Sequence, residues 1–227
     1  YRVMVPLEYI PELHALIYER VPGNTLLHYM QKKRSTKDLL PLITRTAHWL
    51  RKFHTFTLPQ AGLKDIPIFE LSHMNWTVAE LQSAVDAADA HQGEKLKILF
   101  ATLARIEKKL RSNFSPSLTY GDLHPENIIT NSLSSRGLTM IDFTDVALGD
   151  PFRDIGSFIQ QLAFMARGTM SDLKIRNITQ AFIEAYFNQT LDALPQHVYN
   201  RINLYQAWNA FRGFVYFFFN EKTRLRS

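Results

Sequence analysis

Cysteine is missing from all 227 residues. That excludes a disulfide scaffold and any thiolate metal site. It is compatible with any compartment, and a cytoplasmic location is the expectation. Long apolar runs are missing as well. A membrane-spanning helix needs about 18 or more apolar residues, and the longest candidate, "GFVYFFF" at 213–219, is far shorter and reads as part of a buried terminal helix. The N-terminus lacks the basic stretch and apolar core of a signal peptide. There is no internal repeat and no low-complexity segment. No basic stripe interleaved with aromatics marks a nucleic-acid surface, so neither nucleic acid nor membrane is an expected partner. G-x-G-x-x-G and P-loop patterns do not occur.

What is present is ordinary for a globular chain, with 46% hydrophobic and 21% charged residues. The length allows one large domain or two small ones. The net charge of +5 comes from basic residues spread along the chain in small clusters such as Lys32-Lys33-Arg34 and Lys108-Lys109. They read as solvated helix faces and ends, and the mild excess would help attract phosphate-bearing ligands.

Residues 2–10 and 14–21 are β-rich and flank Pro11-Glu12, which predicts a hairpin closed by Val21-Pro22-Gly23. The pattern then turns helical. Ser35-Thr36-Lys37-Asp38 has the form of a capping box, and Leu42, Ile43, Thr46, Ala47, Leu50 and Phe53 follow at close to a 3.6-residue period. Residues 57–75, with Pro59, Gly62 and Pro67, read as an irregular connection, and 77–91 as a polar helix with a solvated acidic face. The cleanest helix is 94–111, where Leu96, Leu99, Leu103, Ile106 and Leu110 predict a buried stripe. Further helices are predicted at about 154–166, 172–191 and 196–220. Trp49 and Trp208 read as core residues, and Trp76 as a candidate for a substrate pocket.

The chemistry concentrates in "YGDLHPEN" at 120–127. It is followed by short strands "IIT" (128–130) and "LTMI" (138–141), joined by turn-rich residues. Antiparallel strands put the start of one beside the end of the other. Asn127, before the first strand, and Asp142, after the second, should therefore meet at one end of this hairpin, with Asp122 on the loop entering it. Such hard oxygen ligands suit Mg2+, usually held by one or two carboxylates plus substrate phosphates. A further carboxylate left free could orient a hydroxyl and accept its proton. That is the division of labour in phosphoryl transfer, where the same D-x-x-x-x-N spacing occurs. A surface turn and a metal-dependent hydrolase are the alternatives, although no histidine-rich cluster supports the latter. His124 reads as a loop histidine bonded locally, and His54 as structural or as a partner of a helix dipole.

"YGDLHPENIIT" and "MIDFTDVALGDPFRDIGSF" together resemble the aminoglycoside phosphotransferase and choline kinase-like family, which has a protein kinase-like fold. Its pattern is H-G-D-L-H-x-x-N, then I-D-[FW], then G-D-P-x-x-D-[LI]. "LIYERVPGNTL", "WLRKFHTF" and "ITQAFIEAYFNQT" resemble its interlobe linker, a helix ending in L-x-x-L-H, and its substrate-lobe helices. The resemblance implies an α+β kinase-like fold: a remnant of the N-terminal lobe at 1–21 (hairpin and hinge) and a mainly helical C-terminal lobe at 22–227. The latter would carry a catalytic loop (120–127) and a metal-binding hairpin (128–142).

It also implies ATP or GTP, Mg2+ and a small-molecule hydroxyl substrate of antibiotic, amino alcohol or sugar type. Asp122 would be the catalytic base, and Asn127 and Asp142 would hold Mg2+ and the nucleotide. Asp154 would hydrogen-bond the backbone of the catalytic loop, and Asp150 would support the same region. Glu19 and Val21 would face adenine through backbone groups. Two departures stand out: Tyr120 replaces the family's usual histidine, and the family's phosphate-covering loop and lysine would lie before Tyr1. Half a nucleotide site is the expectation, which leaves an inactive kinase-like binding or scaffold module as the alternative.

Overall fold

Backbone is described for residues 2–32, 35–56, 66–71, 90–111, 115–134 and 137–224 in a computed structural model, with side chains of 90–92 and 216–224 excluded. Trp76, the connection at 57–65 and most of the polar helix at 77–91 fall outside these residues. The β-rich N-terminus forms three strands, β1 (Arg2–Val3), β2 (Pro6–Ile10) and β3 (Ala15–Tyr18). β2 and β3 make an antiparallel hairpin turned by a short 3-10 helix at Pro11–Leu13 and by His14 at φ 47. The strand expected over 2–10 is split. Arg2 and Val3 instead lie parallel to β7 (Thr139–Met140), and the Met4 N–H continues to the Met140 carbonyl at 3.0 Å. Pro6 has no N–H to extend that ladder, and the chain crosses there into the hairpin. Leu7 and Leu13 are 64% and 71% exposed, so the hairpin is held by its backbone pairing.

β7 also pairs antiparallel with β6 (Ile128–Thr130), and β6 with β4 (Asn24–Thr25), so the sheet order is β1-β7-β6-β4. A second pair, β5 (Ser117–Thr119) with β8 (Ala147–Gly149), brackets the loops that follow. β4, β5 and β8 are two or three residues long. Such lengths are too short for an alternation of apolar and polar side chains to announce them.

Helix α1 (Leu26–Gln31) starts where the Thr25 hydroxyl accepts the His28 N–H at 3.1 Å. Helix α2 (Thr36–His54) has the capping box: Ser35 Oγ accepts from the Asp38 N–H, and an Asp38 carboxylate oxygen accepts from the Ser35 N–H, each at 3.2 Å. Helix α3 (Ala90–Leu110) differs from its expected stripe. Leu99 and Ile106 are exposed, while Leu103 and Glu107 are buried and Leu96, Phe100 and Leu110 are half-buried. Both readings share positions 96, 103 and 110 and differ by one residue between them. Hydrogen bonds decide the rotation. The Glu107 carboxylate accepts the Leu71 N–H at 2.8 Å and the Tyr205 hydroxyl at 3.1 Å. Burial pushes its pKa above the usual carboxylate range, and these bonds and Arg111 offset part of that cost.

Helices α4 (Phe152–Met165), α5 (Asp172–Phe187) and α6 (Gln196–Arg224) complete the fold. α5 stops short of the expected residue 191 because Asn188 turns left-handed, φ 55, and its N–H caps the Glu184 carbonyl. α2 packs on α5 and α4 on α6. The core lies between them, with Phe158 and Phe182 rings 4.3 Å apart at their centroids. Trp49 and Trp208 are both buried there.

Gly156 sets how closely α4 and α6 approach. A Cβ on it would lie 2.7 Å from Tyr205 Cβ and 2.8 Å from the Ile202 carbonyl oxygen. Gly156→Val should therefore cost about 3 kcal/mol or more of stability through overpacking. Gly213→Ala, with nothing within 4 Å of the new Cβ, should instead gain about 0.5–1 kcal/mol. Urea denaturation of the two variants beside the parent measures both.

Candidate functional site

Loop 120–127 leaves β5 and enters β6 through a 3-10 turn at Pro125–Asn127. The Asn127 N–H donates to the His124 carbonyl at 3.0 Å, and the Asn127 side-chain Nδ2 donates to the Asp122 carbonyl at 3.0 Å. Asn127 therefore spans the loop from inside. Its own carbonyl accepts the Ile141 N–H at 3.2 Å, so Asp142 begins one residue beyond that pair. Asp122, Asn127 and Asp142 are thus gathered at one end of the β6–β7 hairpin. Asp142 is exposed and adopts φ 60, a left-handed conformation that costs a non-glycine residue about 1 kcal/mol or more. The Thr144 hydroxyl donates to Asp142 Oδ1 at 2.7 Å.

The loop is fixed from beneath by Asp154, fully buried near the start of α4. Its Oδ2 accepts the Tyr120 N–H at 2.6 Å and its Oδ1 the Gly121 N–H at 2.7 Å. His54 Nε2, at the end of α2, lies 2.8 Å from the same Oδ2, and His54 Nδ1 lies 2.7 Å from the Tyr186 hydroxyl on α5. The carboxylate thus ties three helices to the loop. Gly121 needs to be glycine. Its φ is 91, and a Cβ would lie 2.2 Å from the Asp145 carbonyl oxygen. Asp150 is buried at the turn before α4, where it accepts the Phe152 N–H at 2.9 Å and pairs with both Nε and Nη2 of Arg201.

Tyr120 is buried beneath the loop, and its hydroxyl donates to the Ile141 carbonyl, next to Asp142. Burial first, then the carboxylates of Asp142, Asp122 and Asp154, push its pKa far above the usual tyrosine value. It therefore remains a neutral donor. Its ring meets Phe143 edge-on at 4.9 Å, within an aromatic cluster that includes Trp49 and Phe53.

Asp122 is half-exposed. His124 Nε2 lies 3.5 Å from Asp122 Oδ2, an ion-pair distance that is long for a hydrogen bond. The imidazole, followed by Arg212 and Arg153, holds the Asp122 carboxyl below its usual range, against its burial. Asp122 is accordingly ionised at neutral pH. His124 Nδ1 also accepts the Glu126 N–H at 3.3 Å.

A cavity of about 300 Å³ opens between the first strands and the residues after Asp142, lined by Val3, Met4, Pro6, Tyr18, Phe143 and Thr144. Neither Glu19 nor Val21 lines it. The Glu19 N–H is taken by the Val5 carbonyl at 3.3 Å, while among the described residues nothing bonds the Glu19 carbonyl or the Val21 N–H. The lining residues, the contact of His124 with Asp122, the His54 and Tyr186 supports of Asp154, and Arg153 and Arg212 are invisible to sequence reasoning. Only "WLRKFH" hinted at His54. Among the described residues no three His, Cys, Asp or Glu side chains gather to hold a metal.

The phosphotransferase enzyme family matches residues 5–196. The match covers most of the chain, and the chain belongs to that family. Among solved structures, the ethanolamine kinase Pv091845 of Plasmodium vivax superposes with a TM-score of 0.60 at 16% identity, over 92% of this chain and 59% of its own. The choline/ethanolamine kinase family protein of Mesorhizobium loti gives 0.61 at 14%, over 96% and 64%. The GDP and kanamycin complex of the aminoglycoside phosphotransferase APH(2")-IIia gives 0.65 at 20%, over 98% and 70%. These likenesses show a shared mixed α+β, kinase-like fold. The chain spans less than two thirds of the first two. No curated protein sequence matches the chain.

Removing the buried acceptor at Asp154 leaves two loop N–H groups and His54 unpaired. Asp154→Ala should cost about 3–5 kcal/mol and speed amide exchange at Tyr120 and Gly121 ahead of the rest of the core. Denaturation with residue-resolved hydrogen exchange checks both.

Proposed function

We propose that this member of the phosphotransferase enzyme family moves the γ-phosphoryl group of ATP or GTP to a hydroxyl of a small molecule, with Asp122 as the base. The observation that carries the reading is the position of the Asp122 carboxylate. It is ionised and half-exposed, on a loop pinned by Asp154, beside Asn127 and Asp142. A left-handed Asp142 also supports it, because strain of this kind is kept where a side chain must be aimed.

The donor set fits Mg2+. Asn127 spends its Nδ2 on the Asp122 carbonyl, which leaves its Oδ1 as a ligand, and Asp142 offers a carboxylate oxygen not taken by Thr144. When bound, the ion would neutralise charge on the nucleotide's phosphate oxygens. Phe143, Thr144 and the apolar groups of Val3, Met4, Pro6 and Tyr18 would enclose the nucleotide and exclude water. The free Glu19 carbonyl and Val21 N–H would address the base. In this reading residues 1–21 belong to the N-terminal lobe and 22–227 form the C-terminal lobe.

The acceptor's oxygen forms a bond to the γ-phosphorus while the bond from that phosphorus to the bridging oxygen breaks. The nucleoside diphosphate leaves, and the hydroxyl proton passes to the Asp122 carboxylate. A carboxyl held below its usual pKa is a weak base, so its first task is to orient the hydroxyl, in keeping with a transfer that depends on positioning and charge. Tyr120, neutral and buried, would keep the Ile141–Asp142 backbone in place through its hydroxyl.

Asp122→Asn in the intact protein should lower kcat by about 100- to 10,000-fold, with the nucleotide Kd and the melting temperature unchanged. A transfer assay with labelled ATP and GTP, paired with calorimetry in the presence of Mg2+, measures each quantity. Parental turnover in the variant would remove Asp122 from its role. Absence of nucleotide binding in the parent would turn the reading toward an inactive kinase-like module.

A further inference from the structure

Arg153 is a buried cation with unmet donors. It is 4% exposed, and its Nε and Nη1 are buried without a hydrogen-bond acceptor. Its guanidinium rests 3.6 Å over the Phe69 ring, which contributes modestly and accepts no N–H bond. Burial holds its pKa below the usual arginine value, and Arg212 acts in the same direction, against Asp154 and Asp145. Arg212, on α6, pairs only loosely, its Nη2 lying 3.5 Å from Asp145 Oδ2. A guanidinium carries five donors, so most of those on Arg212 are left over. Both arginines act on the Asp122 carboxylate. Asp145 lies against Gly121, the residue before Asp122, which ties the arginine cluster to the loop. Arg212 is partly exposed, with 26% of its side chain accessible, and can meet a ligand from solvent. Arg153 is buried with donors unmet, and a buried cation in that state is costly unless an anion completes it.

We propose that Arg153 and Arg212 form an oxyanion-recognising subsite beside Asp122, and that the acceptor is a small hydroxyl compound that also carries a carboxylate. This rests on the phosphotransferase reading above. Guanidinium forks match the planar carboxylate in geometry and charge. Phe69 stacks against the Arg153 guanidinium. The same two cations repel a polycationic or quaternary ammonium acceptor, so the subsite selects against such compounds as well as for its own.

The test uses the intact protein and has two separate readouts. In the first, thermal shift without nucleotide is measured with glycerate, L-homoserine, inorganic phosphate, glycerol, choline and kanamycin. The hydroxy acids should raise the melting temperature, and the neutral and cationic compounds should not. Arg212→Gln and Arg153→Met should each abolish that rise. Because Arg153 Nε and Nη1 are buried without acceptors, Arg153→Met should melt at or above the parent temperature, whereas a purely structural arginine would lower it. If Arg153→Met fails to fold, the role of Arg153 is structural and the subsite is overturned. In the second readout, phosphoryl transfer to the same panel should favour the hydroxy acids, and Arg212→Gln should raise their KM about tenfold or more with the nucleotide KM unchanged.

No transfer to any acceptor, with the arginine-dependent shift intact, would sink the phosphotransferase reading and leave the subsite standing. Transfer to glycerol, choline or kanamycin at rates equal to the hydroxy acids would overturn the subsite. A shift with inorganic phosphate alone would overturn the acceptor assignment.

Discussion

A single buried carboxylate holds the candidate site together. Asp154 accepts the N–H groups of Tyr120 and Gly121 and meets His54, whose other ring nitrogen reaches Tyr186. Hydrogen bonds to a charged acceptor in a desolvated setting are short and strong, and each would be costly to leave unmade. The loop bearing Asp122 is consequently fixed at its first two residues, and Asn127 fixes it again from within. The apolar core provides the setting for this network. Trp49, Phe53, Tyr120 and Phe143 pack on one another, and Tyr120 joins this cluster to the carboxylate through its N–H.

The other buried charges divide into two groups. Asp150 is fully engaged by Arg201 and by the Phe152 N–H, and Arg201 also stacks on Phe152 at 3.7 Å. Glu107 joins α3 to α6 through Tyr205. These pairs orient helices. Arg153 lacks such hydrogen-bond partners at Nε and Nη1 although it is equally buried, and it immediately precedes Asp154, which holds the loop. Proteins tolerate such imbalance where a ligand restores it.

Much of the fold is legible in the sequence because its causes are local. The capping box at Ser35 and Asp38 lies within four residues, and the apolar faces of α2, α4 and α5 repeat within a few turns. The split of the first strand at Pro6 is also local in cause, but the partner that captures Arg2 and Val3 lies at Thr139–Met140. The stripe on α3 shows the limit best. Leu99 and Ile106 fit a periodic face as well as Phe100 and Glu107 do. Only the Leu71 N–H and the Tyr205 hydroxyl, 36 and 98 residues from Glu107, choose between the two rotations. Of the site, the meeting of Asn127 and Asp142 follows from antiparallel pairing, while the cavity is lined by residues that no motif marks.

The sequence by itself determined helices α2 to α6, the β6–β7 hairpin, the loop that carries Asp122 and the family pattern over 120–158. Those depend on short-range hydrogen bonding, on side-chain period and on chain reversal, which any segment carries with it. The tertiary structure alone decided that His124 lies against Asp122, that His54 and Tyr186 brace Asp154, and that Arg153 is buried without an acceptor beside Arg212. His54 and Asp154 are 100 residues apart. Their meeting and the missing partner of Arg153 are consequences of how four packed helices exclude water, and no local pattern encodes a shared desolvated volume.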